Sequence, residues 1–268
     1  QSGGNYVAVP TNIHRINNLF YNTSVLESAG VDPASLETPA DLVEAAAKVE
    51  SETDAVGFAH AMSSPWTTLQ LWACVFLGEH GRDAYDAFIS GDGDKAKVQS
   101  SLETVAELSE YFNDDASTIG FQEANQYVIE GNAAFFDQGD WAAQMYISAD
   151  GFEFESEWGH VPFPGTAGHY SLNMDSWVFP ADGPNPEGTK KWLQYCGTKD
   201  AQVRFNTNKG SIPPRGDVST EEFGAFQTSQ IEEFQNSESQ PPSIAHGLAV
   251  APGVLNSLKE AVNGEFSN

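Results

Sequence analysis

Apolar and polar positions along the chain follow two alternating periods. "NYVAVP" is a short apolar run stopped by Pro10 and reads as a buried strand. "TSVLESAG" carries an N-cap Thr or Ser, an apolar stripe and a terminal Gly, the marks of a helix. In "TPADLVEAAAKVES" Thr38 caps, Pro39 takes the first position, and Leu42, Val43, Ala46, Ala47 and Val49 fall roughly at helical spacing. "AVGFAHA" predicts a strand. "SPWTTLQLWACVFLGEHG" predicts a helix from Pro65 to a closing Gly. The Gly-rich turn "SGDGDKA" precedes a long helix, "KVQSSLETVAELSEYFND".

The second half continues the alternation. "FQEANQYVIEGN" is helical, "AAFFDQ" a strand, "GDWAAQMYIS" a helix, and "EWGHVPFPG" a strand entering a Pro-rich turn. "SLNMDSWVFPAD" is a strand with a polar interruption, and "NPEGTKKWLQYCGTKDAQVRFNTN" supplies one helix and then a second. "EEFQNSESQPPS" reads as a flexible connection. Short apolar strands between helices predict an α/β protein with covered sheets, and the chain has no internal repeat.

Charge changes the picture next. Among 268 residues, 38 acids face 12 Lys and Arg, a net charge of -26. Such a surface repels nucleic-acid phosphates and anionic lipid, so neither is an expected partner. The acids are scattered (Asp32, Glu37, Asp41, Glu44, Glu50), which fits a globular surface adapted to high salt rather than an acidic tail. Cys74 and Cys196 lie in helical patterns and read as buried free thiols. No apolar stretch reaches the roughly 20 residues of a membrane span. The six histidines show no paired ligand spacing, "GDGD" is only half of a calcium loop, and no phosphate-cradling glycine loop occurs; neither metal nor cofactor is expected.

The stretch "AAFFDQGDWAAQ" poses a choice. Trp141 is either core or a flat platform at the mouth of a cleft, since α/β sheets take ligands at strand exits. Asp175, interrupting an apolar strand, is either a turn or capping residue or a functional one. Trp177, two residues on, reads as core in preference to cleft. Trp66 and Phe121 open helices and suit either cleft wall or core.

Seven motifs then fall in order: "VAVPTNIHRINNLFYN", "SPWTTLQLWACVFLGEHG", "EGNAAFFDQGDWAAQ", "VPFPGT", "NMDSWVFPAD", "KKWLQYCGTKDAQVRFNTNKGSIPPRGDV" and "SIAHGLAVAP". Together they resemble the extracellular solute-binding proteins of sugar ABC transporters, in particular the glucose- or mannose-type members of the maltose-binding-protein superfamily. The resemblance implies a two-lobe, periplasmic-binding-protein-like α/β fold (type II). It implies a monosaccharide such as glucose between the lobes, permease subunits as partners and no enzymatic activity. It places the protein on the outer face of the cell membrane, held by an N-terminal anchor that this chain lacks. Residues 1–20 would be the crossover strand and hinge, 21–169 the second lobe, 170–215 a segment returning to the first lobe, and 216–268 C-terminal helices of the second lobe. The chain would then be a piece lacking its first lobe and ending about one helix early.

Under that resemblance Trp141 stacks on the sugar, Asp175 accepts hydroxyls, and His246 adds a polar contact; Trp66 and Phe121 are further walls. His14 and Arg15 follow the crossover strand, and either bond the ligand or position the hinge. A rival reading is a secreted glycoside hydrolase, which needs two carboxylates about 5 to 10 Å apart. Asp140, Glu157 and Asp175 are its candidates. A ligand-free surface-layer fragment is a third reading. The charge makes a prediction by itself: screening tightens toward a Debye length of about 3 Å at molar salt. The thermal midpoint should therefore rise as KCl increases from low to molar concentration; a flat or falling midpoint would count against salt adaptation.

Overall fold

A computed structural model describes residues 7–266. Residues 1–6, including the first two of "NYVAVP", and residues 267–268 lie outside the described residues. Along the chain run β1 (Ala8–Pro10), β2 (His14–Arg15), β3 (Asn18–Asn22), α1 (Thr23–Ala29), α2 (Pro39–Glu52), β4 (Val56–Phe58), α3 (Pro65–Ile89), α4 (Lys95–Ser109) and α5 (Phe121–Ile129). Then follow β5 (Ala133–Gln138), α6 (Ala143–Ser148), β6 (Trp158–Pro162), β7 (Leu172–Asn173), β8 (Ser176–Val178), α7 (Pro186–Cys196), α8 (Lys199–Lys209), α9 (Ala225–Asn236) and α10 (Pro252–Phe266).

The main sheet has the order β4-β5-β3-β6. β3 runs antiparallel to both neighbours, while β4 is parallel to β5. Side-chain alternation sends Leu19 and Phe135 into one core with α1 to α4, and Phe20 and Phe136 into another with α5 and α6. β5 is therefore buried along its whole length, as its unbroken apolar start requires. Two smaller pairs, β1 with β8 and β2 with β7, carry the chain to α7 and α8. A third core of Ile13, Tyr170, Ile212 and Ile231 joins these segments to α9. Cys74 and Cys196 are both buried and free.

Local chemistry explains the boundaries. Thr38 and Asp41 form a reciprocal capping box at α2. α1 is capped by Asn22, not by the Thr or Ser after it: the Asn22 side-chain Oδ1 accepts the Val25 N–H at 3.1 Å. α3 passes its expected stop at Gly81, where a positive φ of 73° kinks it before it resumes to Ile89. α4 stops at Ser109 rather than near Asp114, because Phe112 pairs beside Phe58 at the sheet edge.

Two expectations are corrected. "EEFQNSESQPPS" is no flexible connection: its first half completes α9, and Ser239 and Pro242 bridge to His169 and Leu172. Phe226 and Ile231 anchor that helix in the core. Trp177 is not core either; it is 44% exposed on β8 and meets Trp192 edge-on at 6.1 Å.

The turn after β6 meets the first half of α3 backbone to backbone. Gly165 has φ +81°, and a Cβ there would collide with the Gly78 carbonyl. Gly165→Ala should cost at least about 1–2 kcal/mol from the left-handed backbone alone. A urea midpoint equal to that of the parent chain would show that this packing yields freely.

Candidate functional site

The segment that joins the smaller pairs to the main sheet is polar yet buried. Thr11, Asn12, His14, Arg15, Asn17 and Asn18 all lie below 5% exposure. Buried polar groups must find partners or lose their hydration for nothing. All but the Asn18 Oδ1 do so here: Asn17 Nδ2 donates to Thr166 Oγ1 at 2.8 Å and to the His169 carbonyl at 2.9 Å. Asn206 Nδ2 donates to the Thr11 carbonyl at 2.9 Å.

At the exit of β5 the chain makes a 3-10 turn, Asp140–Ala142, before α6. Trp141 folds back so closely over Gly139 that any Cβ there would strike its indole ring. The Gly-Asp-Trp order is thus explained: the glycine lets the indole lie against backbone, and only partly buried. Trp66 at the start of α3 meets Trp141 at 6.1 Å and Phe121, at the start of α5, at 5.9 Å. His246 packs against both tryptophans, at 5.3 and 5.2 Å, and shares a 2.9 Å hydrogen bond between its Nδ1 and Ser243 Oγ.

These four aromatic side chains line one pocket of about 500 Å³ together with His14 and Asp175. Asn173, Lys209, Ala245, Leu255 and Lys259 complete its wall. Six of the seven residues singled out from the sequence are therefore neighbours in space. Arg15 is the exception. It is buried away from the pocket, ion-paired to Glu233, with its guanidinium 5.2 Å from the Tyr170 ring centre. The reason is alternation, because consecutive residues of β2 point to opposite sides. Lys209, Lys259, Asn173 and Asn12 were not foreseen. The faint signal for the lysines is scarcity, two of only 12 cationic side chains, with Lys209 Nζ lying 5.9 Å from the Trp141 ring centre.

Asp175 stands at the pocket mouth, its side chain 53% exposed. Its carboxylate accepts from Asn12 Nδ2 at 2.9 Å, and its backbone N–H donates to Asn12 Oδ1 at 2.8 Å. The hydrogen bond with His14 leads the causes that lower its pKa to about 2, against burial and helped by Asn12 and by the charges of His14 and Lys209. His14 Nδ1 bonds to the fully buried Asp140, whose other oxygen accepts the Arg15 backbone N–H at 3.2 Å. Burial pushes His14 down, but the charge and hydrogen bond of Asp140, with the bond to Asp175, outweigh it and raise its pKa to about 9. His246 shifts the other way, to about 4, through burial first and then the nearby His14 and Lys259 charges. The arrangement is a flat aromatic wall with an ionised acceptor beside it. That suits a neutral ring bearing hydroxyls.

Of the hydrolase candidates, Asp175 alone is a pocket-lining carboxylate among the described residues. Asp140 is sealed behind His14, and Glu157 is spent on the Glu153 N–H and Ser156 at the surface. Among those residues no group of three His, Cys, Asp or Glu is placed to hold a metal, and no helix is long and apolar enough to cross a membrane.

Comparison with known proteins gives concordant results. Residues 2–230 match the family model described as bacterial extracellular solute-binding protein. The xylose/arabinose-binding protein XacG of Haloferax volcanii is 43% identical over 260 residues, which is 97% of this chain and 57% of that protein. An uncharacterized ABC transporter extracellular-binding protein of Pyrococcus horikoshii is 36% identical over 96% of this chain and 58% of its own length. The chain thus spans less than two thirds of either relative. Among solved structures, a bacterial solute receptor described as preferring β-D-galactopyranose superposes with a TM-score of 0.83 at 20% identity, over 98% of this chain and 67% of that one.

The His246 shift has a consequence for stability. The folded protein holds this ring neutral where the unfolded chain would protonate it, so its contribution is complete above pH 6.5 and lost as pH falls toward about 4. His246→Gln should flatten the decline of stability across that window by about 1–3 kcal/mol, measured by urea unfolding at each pH. An equally steep decline in the variant would mean that His246 is charged in the fold.

Proposed function

The chain belongs to the bacterial extracellular solute-binding proteins and has their α/β periplasmic-binding-protein fold, and from that premise we propose that it forms the sugar-holding part of the binding component of an ABC importer. One observation carries the reading: Trp66, Phe121 and Trp141 share a single pocket with the ionised Asp175. Stacking rings take the apolar faces of a sugar, and a carboxylate accepts two hydroxyls at once. The pocket volume falls within the range of small-molecule sites. The ligand is a monosaccharide, a pentose or a hexose such as glucose, and the sugars for which XacG is named make xylose and arabinose the first pentoses to test.

In this reading the pocket is half of an interlobe cleft. Residues 1–20 serve as crossover and hinge, 21–169 and 216–268 as one lobe, and 170–215 as the segment that packs on the other. The last assignment rests on Trp177, Trp192 and Tyr195, which leave a patch of aromatic surface open to solvent. Closure of two lobes over the sugar would create the form that permease subunits recognise at the outer face of the membrane.

Calorimetry tests the proposal. A chain offering one wall forgoes the hydrogen bonds of the opposite wall. Three or four of these at about 0.5–1.5 kcal/mol each weaken binding by roughly 10- to 10⁴-fold. Titrated with D-xylose, L-arabinose or D-glucose, this chain should bind weakly or below detection, and a protein of the relatives' full length should bind clearly. Tight binding by this chain would mean that one wall suffices. Failure of the longer protein with every common sugar would overturn the importer reading, and release of sugar from an oligosaccharide would favour the hydrolase.

A further inference from the structure

Asp175 is more exposed than any other member of the buried network, yet it is the most heavily constrained. Besides its two bonds with Asn12, its carbonyl accepts the Thr11 N–H at 3.0 Å and the Thr11 hydroxyl at 3.3 Å. Asn12 is itself fully buried, and its Nδ2 lies 2.8 Å from His14 Nε2. His14 is anchored on its other nitrogen by Asp140, which has no exposure at all. The contacts form one line: Asp140, His14, Asn12, Asp175. None of the first three needs to touch a ligand to affect one. We propose that Asp140, His14 and Asn12 form a proton-sensitive relay of positioning residues that aims the Asp175 carboxylate into the pocket. The proposal rests on the sugar-site reading above and deepens it.

The relay works through the two bonding modes of the ring. A neutral His14, with its proton on Nδ1 toward Asp140, accepts from Asn12 at Nε2. A protonated His14 is a donor at both nitrogens; its Nε2–H then opposes the Asn12 Nδ2 donor at 2.8 Å, with Asp175 Oδ2 as an acceptor 3.5 Å away. Gain or loss of that proton must therefore re-aim the Asn12 amide, and with it the carboxylate and backbone N–H that Asn12 holds. His14 also meets Trp141 edge-on at 5.0 Å, so the same ring supports the stacking wall. The charged and titratable groups facing His14 are Asp140 from the turn after β5, Asp175 from between β7 and β8, Lys209 from the end of α8, and His246. Asp140, with a lesser part from Asp175, outweighs burial and holds the proton on His14 to about pH 9.

NMR across pH 5 to 10 reads the relay without a ligand. The Asp175 backbone amide should show a step at the His14 ring midpoint, about 9 in the parent chain. In Asp140→Asn both should move together to below 7, although that substitution touches no atom of Asp175. In His14→Gln the step should vanish, which decides the matter even if Asp140→Asn fails to fold. An Asp175 amide that ignores the titration of His14 would overturn the relay.

A second arm adds D-xylose, L-arabinose or D-glucose at tens of millimolar. Affinity read from peak shifts should be flat from pH 5 to 8 in the parent chain, and in Asp140→Asn should weaken several-fold as pH rises. A drop in Asp140→Asn that is the same at every pH would reduce Asp140 to a structural part and overturn the proposal. If none of the sugars shifts any resonance of this chain, the amide step alone judges the relay, and the sugar-site reading is judged by the longer protein.

Discussion

The pairing of β3 with β5 is the constraint on which the rest of the molecule depends. It joins residues 18–22 to residues 133–138 across more than a hundred positions, and both strands are buried on both faces. Because register fixes which side chains share a face, Leu19 and Phe135 cannot leave one core without Phe20 and Phe136 leaving the other. The same register sets where β5 ends relative to β2, and so delivers Asp140 against His14 and Trp141 into the pocket. The site is an extension of a strand pairing.

Much of this was legible locally. Strands and helices announced themselves through period and caps, and Trp141, Trp66 and Phe121 stand at a strand exit or a helix start, whereas His246 sits in a turn well before α10. What stayed hidden depends on distant partners. Nothing within "PTNIHRINN" shows that His14 meets a residue 126 positions away, or that Asn12 meets one 163 away. Arg15 appeared beside His14 as an equal candidate, yet its partner Glu233 lies 218 positions on and on the opposite side. "EEFQNSESQPPS" misled for the complementary reason. Its polar composition belongs to the outer face of a helix whose apolar anchors, Phe226 and Ile231, precede it.

Four histidines show how little residue type decides by itself. His60 and His160 fall to about 3 because burial offers their charge no adequate counterpart, and Arg15 pushes His160 further down. His246 falls to about 4 beside the His14 charge, while His14, equally enclosed, rises to about 9 because a carboxylate is sealed in with it. A chain so rich in acid has spent one of its few wholly buried carboxylates on holding a positive charge at the back of the pocket. Around that charge the ionised Asp175 keeps a fixed address at an exposed mouth.

The buried polar strip from Thr11 to Asn18 carries a further consequence, for how such a sequence can drift over generations. An apolar core tolerates exchange among residues of similar volume, because dispersion has no direction. Along this strip the partners are amide, imidazole and guanidinium groups with fixed donors and acceptors, and an isosteric aliphatic would strand its opposite number in a dry interior. Substitutions that are silent in the helices should be costly here, and tolerated changes should arrive in matched pairs spread across distant parts of the chain. The strip is thus a segment whose history is written jointly with residues 166–175, 206–212 and 233.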